Sequence, residues 1–125
     1  MTKRESILVV DDEETVRDLV RRTLEEAGYS VVTAAGGKEA LDKMSQLDVS
    51  LVLLDIKMPG LDGFQVLNLI RKSSDVPVIM LTAIDQVTTL RDAVHIGADD
   101  YITKPFRSLE LVARVKAKLR RAKPR

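Results

Sequence analysis

The sequence has no cysteine, no tryptophan, and only two tyrosines and two phenylalanines. Without cysteine, the chain can form neither a disulfide bond nor a thiolate metal site. The single histidine, His95, is predicted to be a surface residue of a helix rather than a metal ligand. Any metal site is therefore expected to use oxygen ligands.

Long apolar runs and a large excess of charge are also missing. No segment approaches the length of a membrane span, and the net charge is only +1. A chain with so little excess charge has no general attraction for nucleic acid or anionic lipid. The opening residues are polar and the apolar run behind them stops after four, unlike a signal peptide. We expect a soluble, cytoplasmic protein that binds neither membranes nor nucleic acid directly.

The chain has the size of one domain. Its 125 residues are 45% hydrophobic, which is enough for one substantial core but leaves no room for a second. Short aliphatic runs alternate with amphipathic segments, a pattern typical of β-α units around a parallel sheet. The predicted strands are residues 7–10, 29–33, 51–55, 77–81 and 100–103. The first predicted helix ends at Gly28, and the others cover residues 38–47, 63–72, 86–96 and 109–119.

Apolar spacing predicts which side of each helix faces the core. Leu19 of the first helix and Leu109 of the last are among the residues expected to point inward. The helix predicted at residues 86–96 has the thinnest apolar stripe and is expected to be the most mobile.

Five β-α units favour an α/β fold: a flavodoxin-like (βα)5 doubly wound parallel sheet, strand order 2-1-3-4-5, in a single three-layer domain. This order places the first and third strands side by side, and ligands of such sheets bind at the carboxyl ends of the strands. The polar residues at those ends are Asp11 and Asp12, Asp55, Thr82 and Lys104. We expect these side chains to lie along one edge of the sheet.

Three carboxylates at one edge repel each other unless a cation lies among them. An all-oxygen site with up to three carboxylates suits Mg²⁺, which keeps some waters and leaves positions for a phosphate. Together with Lys104, a divalent cation would leave Asp11, Asp12 and Asp55 with no net charge. Each residue alone also has a simpler interpretation: the acids could favour the positive end of the first helix, and Thr82 and Lys104 could be ordinary strand-end or surface residues.

The same positions carry a resemblance to a known family, the receiver domain of two-component response regulators. The motifs are Asp11-Asp12, Asp55 to Gly63, Thr82-Ala83 and Gly97 to Phe106. As an ordered set they are specific, and they span nearly the whole chain. We assign residues 1–122 to the receiver domain and residues 123–125 to a basic tail that could begin a linker to an effector domain.

The resemblance implies a role for each site residue. Asp55 would be the phosphoacceptor, which takes a phosphoryl group from a sensor histidine kinase in a Mg²⁺-dependent reaction. Asp11, Asp12 and Asp55 would hold the metal together with the backbone carbonyl of Lys57. Lys104 would pair with the phosphoryl oxygens. The protein would be a signalling domain, not an enzyme, because it catalyses only its own phosphotransfer and dephosphorylation.

The resemblance also implies a switch. Thr82 would hydrogen-bond the phosphoryl group, and Tyr101 would then swing inward. These movements would change a surface formed by the helix predicted at residues 86–96, the fifth strand and the last helix. The Lys104–Pro105 peptide bond could be cis, an isomer that sequence alone cannot establish.

Within the family, residues 100–106 and 110–115 are most similar to the OmpR/PhoB-like regulators, which dimerise through that surface and carry a DNA-binding domain downstream. Arg91 stands where an apolar dimer contact is expected and argues against such a dimer here. The chain is expected to be a fragment cut at the linker or a stand-alone receiver. The basic residues 118–125 favour the fragment, and a solvated tail is the preferred interpretation of their charge.

Rival functions remain open. A haloacid dehalogenase-type phosphatase would also use an aspartate nucleophile after a strand, but it needs a second aspartate where this chain has Lys57. A flavodoxin needs a hydroxyl-rich phosphate loop, whereas the acidic residues 11–14 would repel phosphate. A degenerate receiver, acting as a phosphorylation-independent interaction module, is the third alternative.

Overall fold

The structure, a computed structural model, describes residues 4–83 and 97–122. The helix predicted at residues 86–96 and the tail at residues 123–125 lie outside the described residues. Among the described helices, none combines the length and the apolar content that a membrane crossing requires.

Five parallel strands form one sheet with the order β2-β1-β3-β4-β5, as predicted. The strands are β1 (Ser6–Val10), β2 (Ser30–Ala34), β3 (Leu51–Asp55), β4 (Val78–Ala83) and β5 (Asp100–Lys104). The described helices are α1 (Glu14–Glu26), α2 (Gly37–Gln46), α3 (Gly63–Arg71) and α4 (Ser108–Ala122). β4 and β5 extend further at their carboxyl ends than predicted, so Thr82 and Lys104 belong to the strands themselves and not to the loops that follow.

Helices cover both faces of the sheet, which gives the domain its three layers. In β1, Leu8 and Val10 belong to one buried cluster, whereas Ile7 and Val9 belong to the other. The first cluster contains the buried residues of α2 and α3, and the second contains those of α1 and α4. Because both faces are buried, the central strands are continuous aliphatic runs, as parallel sheets require.

Two inward-facing predictions are wrong. Leu19 is 48% exposed and Leu109 is 86% exposed. The buried stripe of α1 passes through Val20 and Leu24, and one residue is roughly 100° of rotation around a helix, so Leu19 faces away from the centre of the stripe. In α4 the buried residues are Leu111, Val115 and Leu119. Leu109 precedes Leu111 by two positions, which places it on roughly the opposite face.

The first turn of α3 packs directly on the backbone that follows β3. Asp62 caps the helix by accepting a hydrogen bond from the Gln65 amide at 2.9 Å, and the Gln65 side chain accepts one from the Asp62 amide at 2.9 Å. The Gly63 amide donates to the Ile56 carbonyl at 2.8 Å. A Cβ atom at Gly63 would lie 2.3 Å from the Asp55 carbonyl oxygen. Position 63 therefore has no room for a side chain.

Helix α2 contacts the outer edge of β2. The Ser30 amide of β2 points toward β1, and the Asp11 amide, just after β1, points toward β2. Backbone groups of successive residues in a strand point to alternate sides, so those of Thr33 point away from β1. The Thr33 carbonyl accepts a hydrogen bond from Lys43 Nζ. The Ala35 amide, next on the same side, donates to Glu39 Oε1 at 2.8 Å. Lys43 and Glu39 also form an ion pair at 3.0 Å.

Replacing Gly63 by alanine is expected to destabilise the protein by roughly 2–3 kcal/mol, because the obstructing atoms are backbone and cannot rotate away. Gly36→Ala is the matched control, since a Cβ atom at Gly36 meets nothing within 4 Å. The control should lose less than about 1 kcal/mol, the cost of a poorer helix cap. Urea unfolding measures both losses. Equal losses would contradict the tight packing of α3 on β3.

Candidate functional site

Three carboxylates meet at the carboxyl edge of the sheet. Asp11 and Asp12 follow β1, and Asp55 is the last residue of the neighbouring β3. Each side chain offers an oxygen, and these oxygens lie within 4.8 Å of one another. Asp11 and Asp55 are buried, whereas Asp12 is exposed. The strand order thus brings the three predicted acidic residues together.

Asp11 is fixed at each of its polar groups. Its amide donates to the Ala34 carbonyl at 3.2 Å, and its carbonyl accepts a hydrogen bond from Arg17 Nη1 at 2.8 Å. Its Oδ1 atom accepts from the Glu13 amide at 2.9 Å, and Oδ2 accepts from Lys104 Nζ at 2.8 Å. A fully buried carboxylate with this many partners has one defined orientation.

Lys104 joins the two buried acids. It lies at the end of β5, opposite Ala83 of β4, and its side chain extends past the end of β4 toward β1 and β3. Its Nζ atom lies 2.8 Å from Asp11 Oδ2 and 3.4 Å from Asp55 Oδ1. The Lys104–Pro105 peptide bond is cis.

Among the described residues, negative charge exceeds positive charge at this edge. Burial, followed by the neighbouring charge of Asp11, raises the pKa of Asp55 to about 6, although the charge and the hydrogen bond of Lys104 act in the opposite direction. For Lys104 the effect of burial is to lower the pKa. The hydrogen bond to Asp11 and the charges of Asp55 and Asp11 outweigh it, so the pKa is raised overall. One ammonium group does not compensate for three carboxylates.

This donor set fits a hard divalent cation. The three side chains offer only oxygen ligands at one edge, and Asp12 faces solvent, so a cation could approach without opening the core. Mg²⁺ binds such sites through a few carboxylates and retains several waters. The pKa of Asp55 is raised first by burial and then by the charge of Asp11, and a cation bound beside it would favour the ionised carboxylate.

Three other predicted site residues lie near this edge without joining the cluster. Thr82 is fully buried one position beyond Leu81, the β4 residue opposite Asp55, and its hydroxyl donates to the Ala83 carbonyl at 3.0 Å. Tyr101 is 40% exposed, and it pairs with Met80, two positions before Thr82. Lys57 is exposed, two residues after Asp55.

Sequence reasoning missed two residues that support the site. Arg17 binds the carbonyl of Asp11, and Gly63 permits α3 to touch the backbone of Asp55. A side chain that binds a backbone carbonyl leaves no pattern in the sequence, since any carbonyl could accept the bond. Gly63 could have been found, because a glycine at the first position of a predicted helix indicates a close approach.

Comparison with known proteins gives a consistent result. Residues 7–116 match the model of the response regulator receiver domain. The chain is 49% identical over 120 residues to the "Probable transcriptional regulator ycf27" of Porphyra purpurea, covering 96% of this chain and 49% of that protein. A protein of the same description from Guillardia theta is 49% identical over 118 residues, covering 94% of this chain and 46% of that protein. The chain thus spans about half the length of the curated relatives it matches.

Solved structures agree. The receiver domain of NtrX from Brucella abortus has a TM-score of 0.88 and 37% identity, with 91% of this chain and 98% of that chain covered. The chemotaxis protein CheY4 of Vibrio cholerae has a TM-score of 0.87 and 31% identity, with 92% and 98% covered. The sheet order, the acidic edge and the match over residues 7–116 together identify this chain as a member of the response regulator receiver domain family.

Proposed function

We propose that this domain accepts a phosphoryl group on Asp55 from a phosphohistidine of a sensor histidine kinase. The observation that carries the proposal is the position of Asp55 at the tip of β3, with Lys104 Nζ 3.4 Å from its carboxylate and two further acids beside it. An Asp55 oxygen forms the new bond to phosphorus while the bond from phosphorus to the imidazole nitrogen breaks. The electron pair of that bond stays on the nitrogen.

Mg²⁺ is the proposed cofactor. Asp11, Asp12 and Asp55 would hold it through their side chains, and Lys57 would contribute its backbone carbonyl. When bound, the cation supplies charge neutralisation to the phosphoryl oxygens. Lys104, whose Nζ atom lies 3.4 Å from Asp55 Oδ1, would do the same, and phosphoryl transfer depends mainly on such positioning and neutralisation.

Thr82 and Tyr101 are the proposed switch residues. The Thr82 hydroxyl is bonded only to the adjacent Ala83 carbonyl among the described residues, and that bond can be exchanged for one to a phosphoryl oxygen. A charge-assisted bond of this kind is stronger than a neutral one. Its formation would draw the end of β4 toward Asp55, and Tyr101 of β5 would respond.

The relatives support a proposal for the output of the switch. Because the matched relatives are transcriptional regulators about twice as long, we propose that this receiver controls a DNA-binding effector in a longer chain. The proposed output surface is formed by the helix predicted at residues 86–96, β5 and α4, and homodimerisation through it is one route to control. Chemistry is limited to the domain's own phosphorylation and dephosphorylation, in the cytoplasm.

Incubation with acetyl phosphate and Mg²⁺ is expected to add the mass of one phosphoryl group, measured by intact mass spectrometry. Asp55→Ala should show no gain, and EDTA should prevent it in the unaltered protein. Asp48→Asn is the control, because Asp48 is an exposed acid just before β3, at the opposite end of the strand. An unchanged mass in the presence of Mg²⁺ would defeat the proposal and favour the phosphorylation-independent module.

The pKa of Asp55 predicts a pH-dependent stability in EDTA. Its ordinary value is 3.8 and its folded value is about 6, so the folded state binds more protons between these limits and stability falls as pH rises through them. The Asp55→Asn substitution removes the titrating group and therefore this loss of stability. By urea unfolding, the variant should match the unaltered protein near pH 4 and exceed its free energy of unfolding by about 2–3 kcal/mol above pH 6.

Saturating Mg²⁺ is expected to shrink that advantage of Asp55→Asn, because a nearby cation favours the ionised carboxylate. A stability difference independent of both pH and Mg²⁺ would contradict the proposed charge imbalance.

Beryllofluoride, a phosphoryl mimic, tests the switch. In the unaltered protein it should change the amide chemical shifts of Tyr101 and its β5 neighbours. Thr82→Ala should reduce these changes at β5 while those near Asp55 persist, because the hydroxyl that would couple Asp55 to β5 is lost. Thr82→Ser keeps the hydroxyl and serves as the control. Undiminished β5 shifts in Thr82→Ala would remove Thr82 from the switch.

A further inference from the structure

The loop between β1 and α1 carries two of the three acids, and it is anchored from outside by one side chain. Arg17 lies at the end of the first turn of α1, and its Nη1 atom donates a hydrogen bond of 2.8 Å to the carbonyl oxygen of Asp11. That carbonyl belongs to the peptide unit that joins Asp11 to Asp12. The guanidinium group therefore fixes the plane of the peptide from which Asp12 starts.

The orientation of Asp12 depends on this peptide unit more than the orientations of Asp11 and Asp55 do. Among residues 4–83 and 97–122, no side chain is hydrogen-bonded or ion-paired with its carboxylate, and the side chain is exposed. Asp11, by contrast, is held through both carboxylate oxygens, and Asp55 is buried and lies near Lys104. A restraint on the backbone is consequently what sets the direction of the Asp12 Cα–Cβ bond, from which the carboxylate extends.

The charge of Arg17 is also felt at the start of α2. The pKa of Glu39 is lowered first by the Ala35 amide and then by Lys43, and the charge of Arg17 contributes in the same sense.

We propose that Arg17 is a positioning residue of the acidic site, which sets the affinity for Mg²⁺ by orienting the Asp11–Asp12 peptide. This inference rests on the proposed function, because it assumes that Asp11, Asp12 and Asp55 bind the metal. The effect is indirect: Arg17 contacts no carboxylate of the cluster, and its positive charge would by itself weaken cation binding. Removing it should nevertheless weaken that binding, because Asp12 loses its orientation.

The experiment is isothermal titration calorimetry of MgCl₂ into the metal-free protein. Arg17→Met keeps the aliphatic part of the side chain and removes the donor, and it should raise the Kd for Mg²⁺ by roughly 10-fold to 100-fold, the usual cost of losing a residue that orients a metal ligand. Arg17→Lys keeps one donor and should fall between the unaltered protein and Arg17→Met.

Arg21→Met is the matched control. Arg21 is one turn further along α1 and loses the same charge on substitution, but it donates to the Thr33 hydroxyl at 3.2 Å rather than to Asp11. Its Kd is expected to stay within about twofold of the unaltered value, since a distant surface charge is largely screened. Urea unfolding in EDTA separates affinity from stability, because a purely structural role would lower stability without a selective loss of Mg²⁺ binding.

The outcomes separate the two proposals. If the unaltered protein binds no Mg²⁺, the proposed function fails. If it binds Mg²⁺ but Arg17→Met has the same Kd as Arg21→Met, only the positioning role of Arg17 is overturned. Should Arg17→Met not fold, Arg17→Lys decides alone: a Kd equal to that of Arg21→Met overturns the role, and a selectively raised Kd supports it.

Discussion

The burial of two neighbouring carboxylates that share one ammonium group is the constraint on which this site depends. Asp11 and Asp55 are buried at adjacent strand ends, and Lys104 is the one residue of the described part of the chain that pairs with both. Burial and like charge both favour the neutral form of Asp55, so its ionised form carries a cost that the fold alone does not offset. A site of this kind is stabilised when positive charge arrives, which is why its oxygen donors suit a divalent cation.

The packing of the sheet offsets the unfavourable burial of these carboxylates. β1 and β3 are aliphatic and buried on both faces, so their packing supplies stability that does not depend on the site. Polar groups are confined to the strand ends, where the order β2-β1-β3-β4-β5 brings β1 and β3 together. The residues that position the acids act largely through the backbone: Arg17 on the carbonyl of Asp11, and Gly63 against the carbonyl of Asp55.

Strand positions, sheet order and the gathering of the acids could be predicted, because strands buried on both faces are continuous aliphatic runs and parallel strands share one carboxyl edge. The faces of helices were harder to predict. Leu19 and Leu109 match the apolar spacing of their helices but lie outside the buried stripe. The part of the helix surface that the sheet covers is narrower than the part that carries apolar residues. Arg17 was not predictable, because side-chain bonds to backbone carbonyls follow from packing rather than from spacing.

The contacts of Glu39 and Lys43 with β2 have a consequence for association between molecules. β2 is a terminal strand of the sheet, and such strands can template pairing with another polypeptide. Here a carbonyl and an amide on the outward side, those of Thr33 and Ala35, are already bonded to an ion pair of the same chain. An incoming sixth strand would have to displace both bonds, so this margin of the sheet is protected against aggregation.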